Sequence, residues 1–206
     1  MNLKNIIFDF GGIIVDLDKQ AAVDAFAALG CQVADSIGTY AQKGVFAALE
    51  TGQMPEAEFF AFVRRQAGHD IPEADIRRAW NSMLVAIPSR RLEAIRALRP
   101  RYRTFMLSNT NALHWDYVCH GLQAPDGVGL EDCFERMFLS FRMGLAKPDA
   151  EIFRVAMAEA SLTPDETLFV DDSEENCRVA ESLGMHVFHS RRADDWLDLW
   201  GKEAAE

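Results

Sequence analysis

Four short apolar runs, Leu3–Phe8, Thr104–Leu107, Thr167–Val170 and Met185–Phe188, lack the polar–apolar alternation of a half-exposed strand. Runs of this length and character suit strands covered on both faces, as in a parallel sheet. A weaker run of the same kind covers Met137–Ser140. Helical patterns lie between the later runs, at about 112–121, 149–161 and 174–183. The last ends at Gly184, a suitable C′ residue. This alternation of strand and helix predicts an α/β fold with a Rossmann-like, parallel-sheet core.

Between the first run and the second the pattern changes. Ala22, Ala25, Phe26 and Leu29 recur at helical spacing. So do Phe59, Phe60, Phe62 and Val63 after Pro55, and Ile76, Trp80, Met83, Leu84 and Ile87 after Pro72. No strand-like run interrupts them. The expected organisation is a core of residues 1–17 and 88–206, with residues 18–87 inserted as a small α-helical cap. Gly52, Gly68 and the two prolines punctuate the insert. A chain of 206 residues can bury a sizeable core, hiding roughly 70% of its unfolded surface, so it needs no disulfide or metal staple to fold.

A formal charge of −11 argues against a nucleic-acid partner or an anionic membrane surface, both of which favour a basic face. It leaves an anionic small substrate open, because a bound cation or a local lysine can set the field in one pocket. Cys31, Cys119, Cys133 and Cys177 form no close-spaced metal or redox pair, which suits reduced thiols in the cytosol. The apolar run before Asp9 is too short for a signal peptide, and nowhere do ~18 uninterrupted apolar residues occur. A soluble cytoplasmic protein is the expectation.

In open α/β sheets ligands bind beyond the carboxyl ends of the strands. Asp9 follows Ile6-Ile7-Phe8, Ser108-Asn109-Thr110 follow Phe105-Met106-Leu107, and Asp171-Asp172 follow Leu168-Phe169-Val170. Lys147-Pro148 precedes a helix start that Asp149 is placed to cap. Together these groups suit phosphoryl transfer. A carboxylate nucleophile and a phosphate dianion repel each other, and a hard divalent cation on oxygen ligands such as Asp9 and Asp172 can bridge them. A lysine and a hydroxyl on the remaining phosphoryl oxygens complete the charge clamp. Each residue alone has a blander reading: a turn or cap for the aspartates, a turn for Ser108, a solvated charge for Lys147. Their joint order at successive strand ends favours the chemical one.

The segments IIFDFGGIIVDLD, LSNTN, GLAKPDAEIF and LFVDDSEEN resemble the four motifs of the haloacid dehalogenase-like (HAD) hydrolase superfamily. The likeness runs through nearly the whole chain, including a cap between the first two motifs, and is greatest to the subfamily that includes α-glucose-1-phosphate phosphatases. The resemblance implies a Mg2+-dependent phosphatase that hydrolyses a small phosphorylated metabolite, such as a sugar phosphate, through an aspartyl-phosphate. It implies that Asp9 is nucleophile and metal ligand, that Ser108, with Asn109 beside it, binds the phosphoryl group, and that Lys147 steadies phosphate and nucleophile. It implies Asp172 as a direct metal ligand, and Asp171 as a ligand directly or through a bound water. Gly11 would lend its backbone carbonyl, and a flap would fall near Gly12–Asp18.

One position departs from the pattern. Most phosphatases of the superfamily carry an acid–base aspartate two residues after the nucleophile, and here that position is Gly11. Asp16 and Asp18 are nearby carboxylates, each expected to cap a helix or face solvent. Lacking the acid, the chain is expected to favour good leaving groups: anomeric, aryl or acyl phosphates. Metal-independent 2-haloacid dehalogenase chemistry tolerates Gly11 but has no use for Asp171-Asp172. A catalytically weak phospho-ligand-binding protein is a further alternative. His114, His120, His186 and His189 form no recognisable metal set and are expected to be solvated or hydrogen-bonded. Trp115 and Tyr117 are expected to pack at the cap boundary, and Arg64-Arg65 and Arg77-Arg78 to be solvated. The segment DDWLDLWGKEAAE reads as a short amphipathic helix closing the core, its tryptophans alternatively serving a dimer contact; nothing in the pattern selects an oligomeric state.

Overall fold

The structure, a computed structural model, describes residues 2–38, 42–122 and 129–200. In chain order its elements are β1 (Asn5–Phe8), β2 (Asp16–Leu17), α1 (Lys19–Ala28), α2 (Val45–Glu50), α3 (Glu56–Ala67), α4 (Glu73–Asn81), β3 (Leu84–Ala86) and α5 (Ser89–Leu98). There follow β4 (Arg103–Ser108), α6 (Ala112–His120), β5 (Arg136–Leu139), α7 (Ser140–Met143), α8 (Ala150–Ala160), β6 (Thr167–Asp171), α9 (Glu174–Ser182) and β7 (His186–His189). Each of the five apolar runs contains a strand, within a residue or two at its ends.

These strands form one parallel sheet in the order β5-β4-β1-β6-β7. Ile6, Phe8, Met106 and Val170 pack on one side with Trp196. Ile7, Phe105, Leu107 and Phe169 pack on the other with Ile152, Phe153 and Ala156 of α8. Both sides are covered, which is why the runs show no polar alternation. Central β1 lies between β4, reached after the whole insert, and β6, reached later still. The crevice at their carboxyl ends is where such a sheet binds ligands.

Helices α1–α4 occupy the insert and share an apolar cluster built on Phe26, Phe46, Phe59 and Trp80. Phe46 stands 4.8 Å from Trp80 and 5.5 Å from Phe59 between ring centroids, the separation at which edge and tilted contacts are favourable. The ends of α3 follow from its sequence. Glu56 and Glu58 complement the positive end of the helix dipole, Arg64 and Arg65 the negative end, and Gly68 terminates it in the left-handed conformation. Leu113 of α6 joins the same cluster, so the insert leans on the core.

One expectation is corrected. Residues 19–87 are not free of strand, because β3 pairs antiparallel with β2, Asp16 opposite Ala86 and Leu17 opposite Leu84. Three residues with Val85 and Ala86 exposed give no apolar run to read.

The segment after β1 is fixed from two sides. Arg91 of α5, fully buried, donates to the Ile14 carbonyl at 3.1 Å, to Asp16 at 2.7 Å and to Asp194 at 2.9 Å. Trp196, in a 3₁₀ turn over Asp195–Trp200, donates its indole N–H to the Ile13 carbonyl at 3.1 Å and packs edge-on against Phe8. Trp196 therefore belongs to this chain's own core, as the closing-helix reading requires; residues 201–206 of that segment lie outside the described residues. No helix among the described residues is long and apolar enough to cross a membrane.

Candidate active site

Asp9, Ser108 and Asp171 stand at or just past the carboxyl ends of three adjacent strands, β1, β4 and β6. Lys147 comes from the loop before α8 and closes the group. Its Nζ lies 2.7 Å from Asp9 Oδ1 and 2.7 Å from Asp171 Oδ2, with the side chain 1% exposed. Asn109 fixes where that lysine starts: its Nδ2 donates to the Lys147 carbonyl and its Oδ1 accepts from the Lys147 N–H, both at 2.8 Å. The side-chain amide of Asn109 is thus committed to the Lys147 backbone. A second clamp joins β4 to α7, with Ser140 Oγ accepting from the Thr110 N–H and donating to the Thr110 carbonyl, each at 2.9 Å.

Asp171 is wholly buried and engaged on both oxygens. Oδ1 accepts from the Ser173 N–H at 2.7 Å and from Asn176 Nδ2 at 3.1 Å; Oδ2 accepts from Lys147 and, at 3.1 Å, from the same Asn176 amide. These bonds fill the roughly four lone-pair positions of a carboxylate. Asp171 is thereby anchored to Lys147 and to the start of α9. Asp172 is different. Its carboxylate runs past Gly12 so closely that a Cβ there would sit 2.3 Å from Asp172 Oδ2, and Gly12 has φ +73°. Glycine is required there for both space and backbone conformation. Ligand oxygens of Asp9, Asp171 and Asp172 all lie within 4.8 Å of one another, a hard-oxygen set suited to a divalent cation.

One ammonium serves three carboxylates here, and the electrostatics follow. Burial pushes the Asp9 carboxyl up to about 8 against the pull of Lys147, with Asp171 and Asp172 adding to the rise. Burial and Asp171 push Asp172 up to about 6. Burial opposes the Lys147 ammonium, but Asp171 and Asp9 outweigh it and hold the group protonated well above the usual lysine value. In the unfolded chain these carboxyls release their protons near pH 4. The folded, metal-free protein keeps them longer, so it binds more protons than the unfolded chain between about pH 4 and 8, and unfolding free energy falls as pH rises through that window. Urea titrations in EDTA should give a lower midpoint at pH 8 than at pH 5; a higher midpoint at pH 8 would contradict the raised carboxyls.

A cavity opens above Asp9, lined by Ser108, Gly11 and Thr110 from the core and by Glu50, Gln42 and Met83 from the insert. His114 also borders it. Its ring stacks on Trp80 at 4.3 Å, with Nε2 3.1 Å from the Trp80 carbonyl. Burial pushes its pKa down to about 4, so the ring is neutral and its Nε2–H donates.

Residues 3–184 match the profile of the haloacid dehalogenase-like hydrolases. The chain is a haloacid dehalogenase-like hydrolase. It is 35% identical over 195 residues to a D-ribitol-5-phosphate phosphatase of Bacteroides thetaiotaomicron, covering 94% of this chain and 95% of that protein. A HAD family enzyme from the same organism, crystallised with magnesium and inorganic phosphate, superposes with a TM-score of 0.91 at 36% identity, over 96% of this chain and 98% of that one. A HAD-like hydrolase from Porphyromonas gingivalis superposes with a TM-score of 0.90 at 31% identity over the full length of both chains.

Several groups lie where the bland readings put them. Asp18 caps α1, accepting from the Ala21 N–H, and Asp16 is held by Arg91. Asp149 caps α8. His120, His186 and His189 bond to backbone carbonyls rather than to one another. Trp115 packs against Phe10. The arginine pairs are less free than expected: Arg64 donates to the Ile71 carbonyl, and Arg77 lies over the Phe60 ring while pairing with Glu56. Two residues lining this cavity went unread in the sequence, Asn176 and Glu50. Asn176 stands one helical turn past the acidic pair, a spacing that could have flagged it. Glu50 is the one acid in the apolar stretch VFAALE, just before a glycine turn.

Proposed function

We propose that this hydrolase is a magnesium-dependent phosphatase of a small sugar or sugar-alcohol phosphate, with Asp9 as nucleophile. The observation that carries this reading is Asp9 Oδ1 held 2.7 Å from a buried Lys147 at the floor of a cavity, with the uncommitted carboxylate of Asp172 beside it. Asp9, Asp172 and the Gly11 carbonyl would hold the cation. When bound, magnesium acts as a Lewis acid that offsets charge between nucleophile and phosphoryl group.

The chain's own groups do the rest. Lys147 orients Asp9 and neutralises phosphoryl charge, and the Ser108 hydroxyl donates to a phosphoryl oxygen. Asp9 attacks phosphorus to give an aspartyl-phosphate, and water hydrolyses it. Asp171 positions Lys147 and the start of α9. Residues 18–87 act as the cap, hinged where β2 and β3 pair, and their inward residues select the substrate.

The acidic pair favours this reading over the dehalogenase, whose chemistry needs no cation. The relative named above acts on a sugar-alcohol 5-phosphate, a primary alkyl ester with a poor leaving group. That moves the substrate class away from the anomeric phosphates the sequence favours and towards esters of ordinary alcohols.

The test is phosphate release from a panel of polyol, sugar and aryl phosphates, with magnesium or with EDTA. EDTA should lower turnover by more than about 10²-fold, the worth of several kcal/mol of Lewis-acid stabilisation, and added magnesium should restore it. Turnover indifferent to EDTA, or halide release from a 2-haloacid without metal, would overturn the phosphatase.

A further inference from the structure

The cavity contains one carboxyl that this chemistry leaves unused. Glu50 ends α2 in the insert, is 8% exposed, and lines the same cavity as Asp9, Ser108 and Lys147. Among the described residues its side chain has no hydrogen-bond or ion-pair partner. Its oxygens are not among the enclosed unpartnered atoms, so the carboxyl faces the cavity itself. Its position is also fixed from behind. Gly52, two residues on, has φ +66°, and a Cβ there would lie 2.3 Å from the Phe141 carbonyl oxygen of α7. The turn after Glu50 is thus pressed against the core's own backbone, which sets how far α2 reaches into the site.

The other candidate acids are occupied. Asp16 is paired with Arg91, Asp18 caps α1, and Lys147 is held by two carboxylates. His114 is neutral, with its Nε2–H given to Trp80.

We infer that Glu50, delivered by the cap, is the general acid–base that the chain lacks at Gly11. This rests on the phosphatase reading above and deepens it. As Asp9 bonds to phosphorus, the P–O ester bond breaks, its electron pair goes to the ester oxygen, and that oxygen takes the Glu50 proton and leaves as a neutral alcohol. The Glu50 carboxylate then takes a proton from water as the water oxygen attacks phosphorus. The P–O bond to Asp9 breaks, and inorganic phosphate, free Asp9 and protonated Glu50 are regenerated. Burial pushes the Glu50 carboxyl up to about 8, with Asp9 adding and Lys147 opposing, so it carries its proton at neutral pH. The negative end of the α2 dipole favours the same form. A proton donor in the cap explains how a hydrolase with glycine at position 11 can release an alkoxide-type leaving group. It also ties proton transfer to cap docking.

The experiment compares kcat/KM for simple alkyl phosphates and for aryl phosphates of graded phenol acidity, using the magnesium-loaded full chain and its Glu50→Gln variant. The variant should lose about 10²–10⁴-fold on alkyl esters and stay within about threefold on the most acidic phenol ester, which needs no proton. A retained aryl kcat/KM, which reports phosphoryl transfer to Asp9 alone, also certifies the fold. Glu50→Asp should recover part of the alkyl rate. Equal losses across the series, or none, would overturn the inference. So would losses confined to polyol phosphates, because simple alkyl esters carry no further hydroxyl for Glu50 to hold. A wild type that hydrolyses no ester in the series fails the phosphatase reading instead.

Discussion

Asp9→Asn should lower kcat/KM for phosphate release by roughly 10⁴–10⁶-fold, the range seen when a nucleophile is removed from an otherwise intact site. The same variant should be more stable than wild type in EDTA. Both effects have one cause. Asparagine keeps the shape of Asp9 and can still accept from Lys147, but it has no anionic oxygen to attack phosphorus. It also removes one of three carboxylates that share a single buried ammonium. In the metal-free protein that carboxylate is expensive, which is why its pKa is driven up to about 8. Without it the fall in stability between pH 5 and pH 8 should become shallower. Urea titration at the two pH values and steady-state turnover on one aryl phosphate check both halves. Residual activity within about tenfold of wild type would relocate the nucleophile. A variant less stable than wild type in EDTA would show that Asp9 repels its neighbours less than its burial implies.

What could be read from the sequence divides along a physical line. The sheet was legible because both of its faces are covered, so each strand is an apolar run, and because the groups that matter sit directly after those runs. Asp9, Ser108 and the Asp171-Asp172 pair needed only the rule that strand ends carry chemistry. Lys147 needed the motif, since its loop shows nothing locally. The division of labour within each motif was not legible. Asn109 and Asp171 differ from Ser108 and Asp172 only in which backbone or amide groups reach them, and those come from Lys147, Ser173 and Asn176. Strand β3 was invisible because a three-residue ladder with two exposed side chains leaves no pattern. Glu50 was missed for a related reason. On its own helix it is one acid after five apolar residues, and its depth in the site is set by how tightly Gly52 lets the turn approach Phe141, a tertiary fact with no local signature.

Lys147→Met carries the second large effect, and it separates structure from catalysis. Methionine nearly fills the lysine stem but leaves Asp9 and Asp171 without their ammonium. Removing one partner of a buried ion pair costs about 3–5 kcal/mol, because the remaining charge is stranded. Asp171 has no escape to solvent; it keeps Ser173 and Asn176, which donate hydrogen bonds but no charge. Asp9 can relieve the strain by holding its proton, so the loss should be larger at pH 8 than at pH 5. Magnesium should return only part of it, since a cation on Asp9 and Asp172 offsets their repulsion but does not replace the fourfold satisfaction of Asp171. Turnover should fall by about 10²–10³-fold, the worth of one preorganised charged donor on a transition-state oxygen. Unfolding free energies from urea titration, at both pH values and with magnesium or EDTA, give the four numbers needed. A loss under about 1 kcal/mol at pH 8 in EDTA would mean that the ammonium serves the reaction rather than the fold.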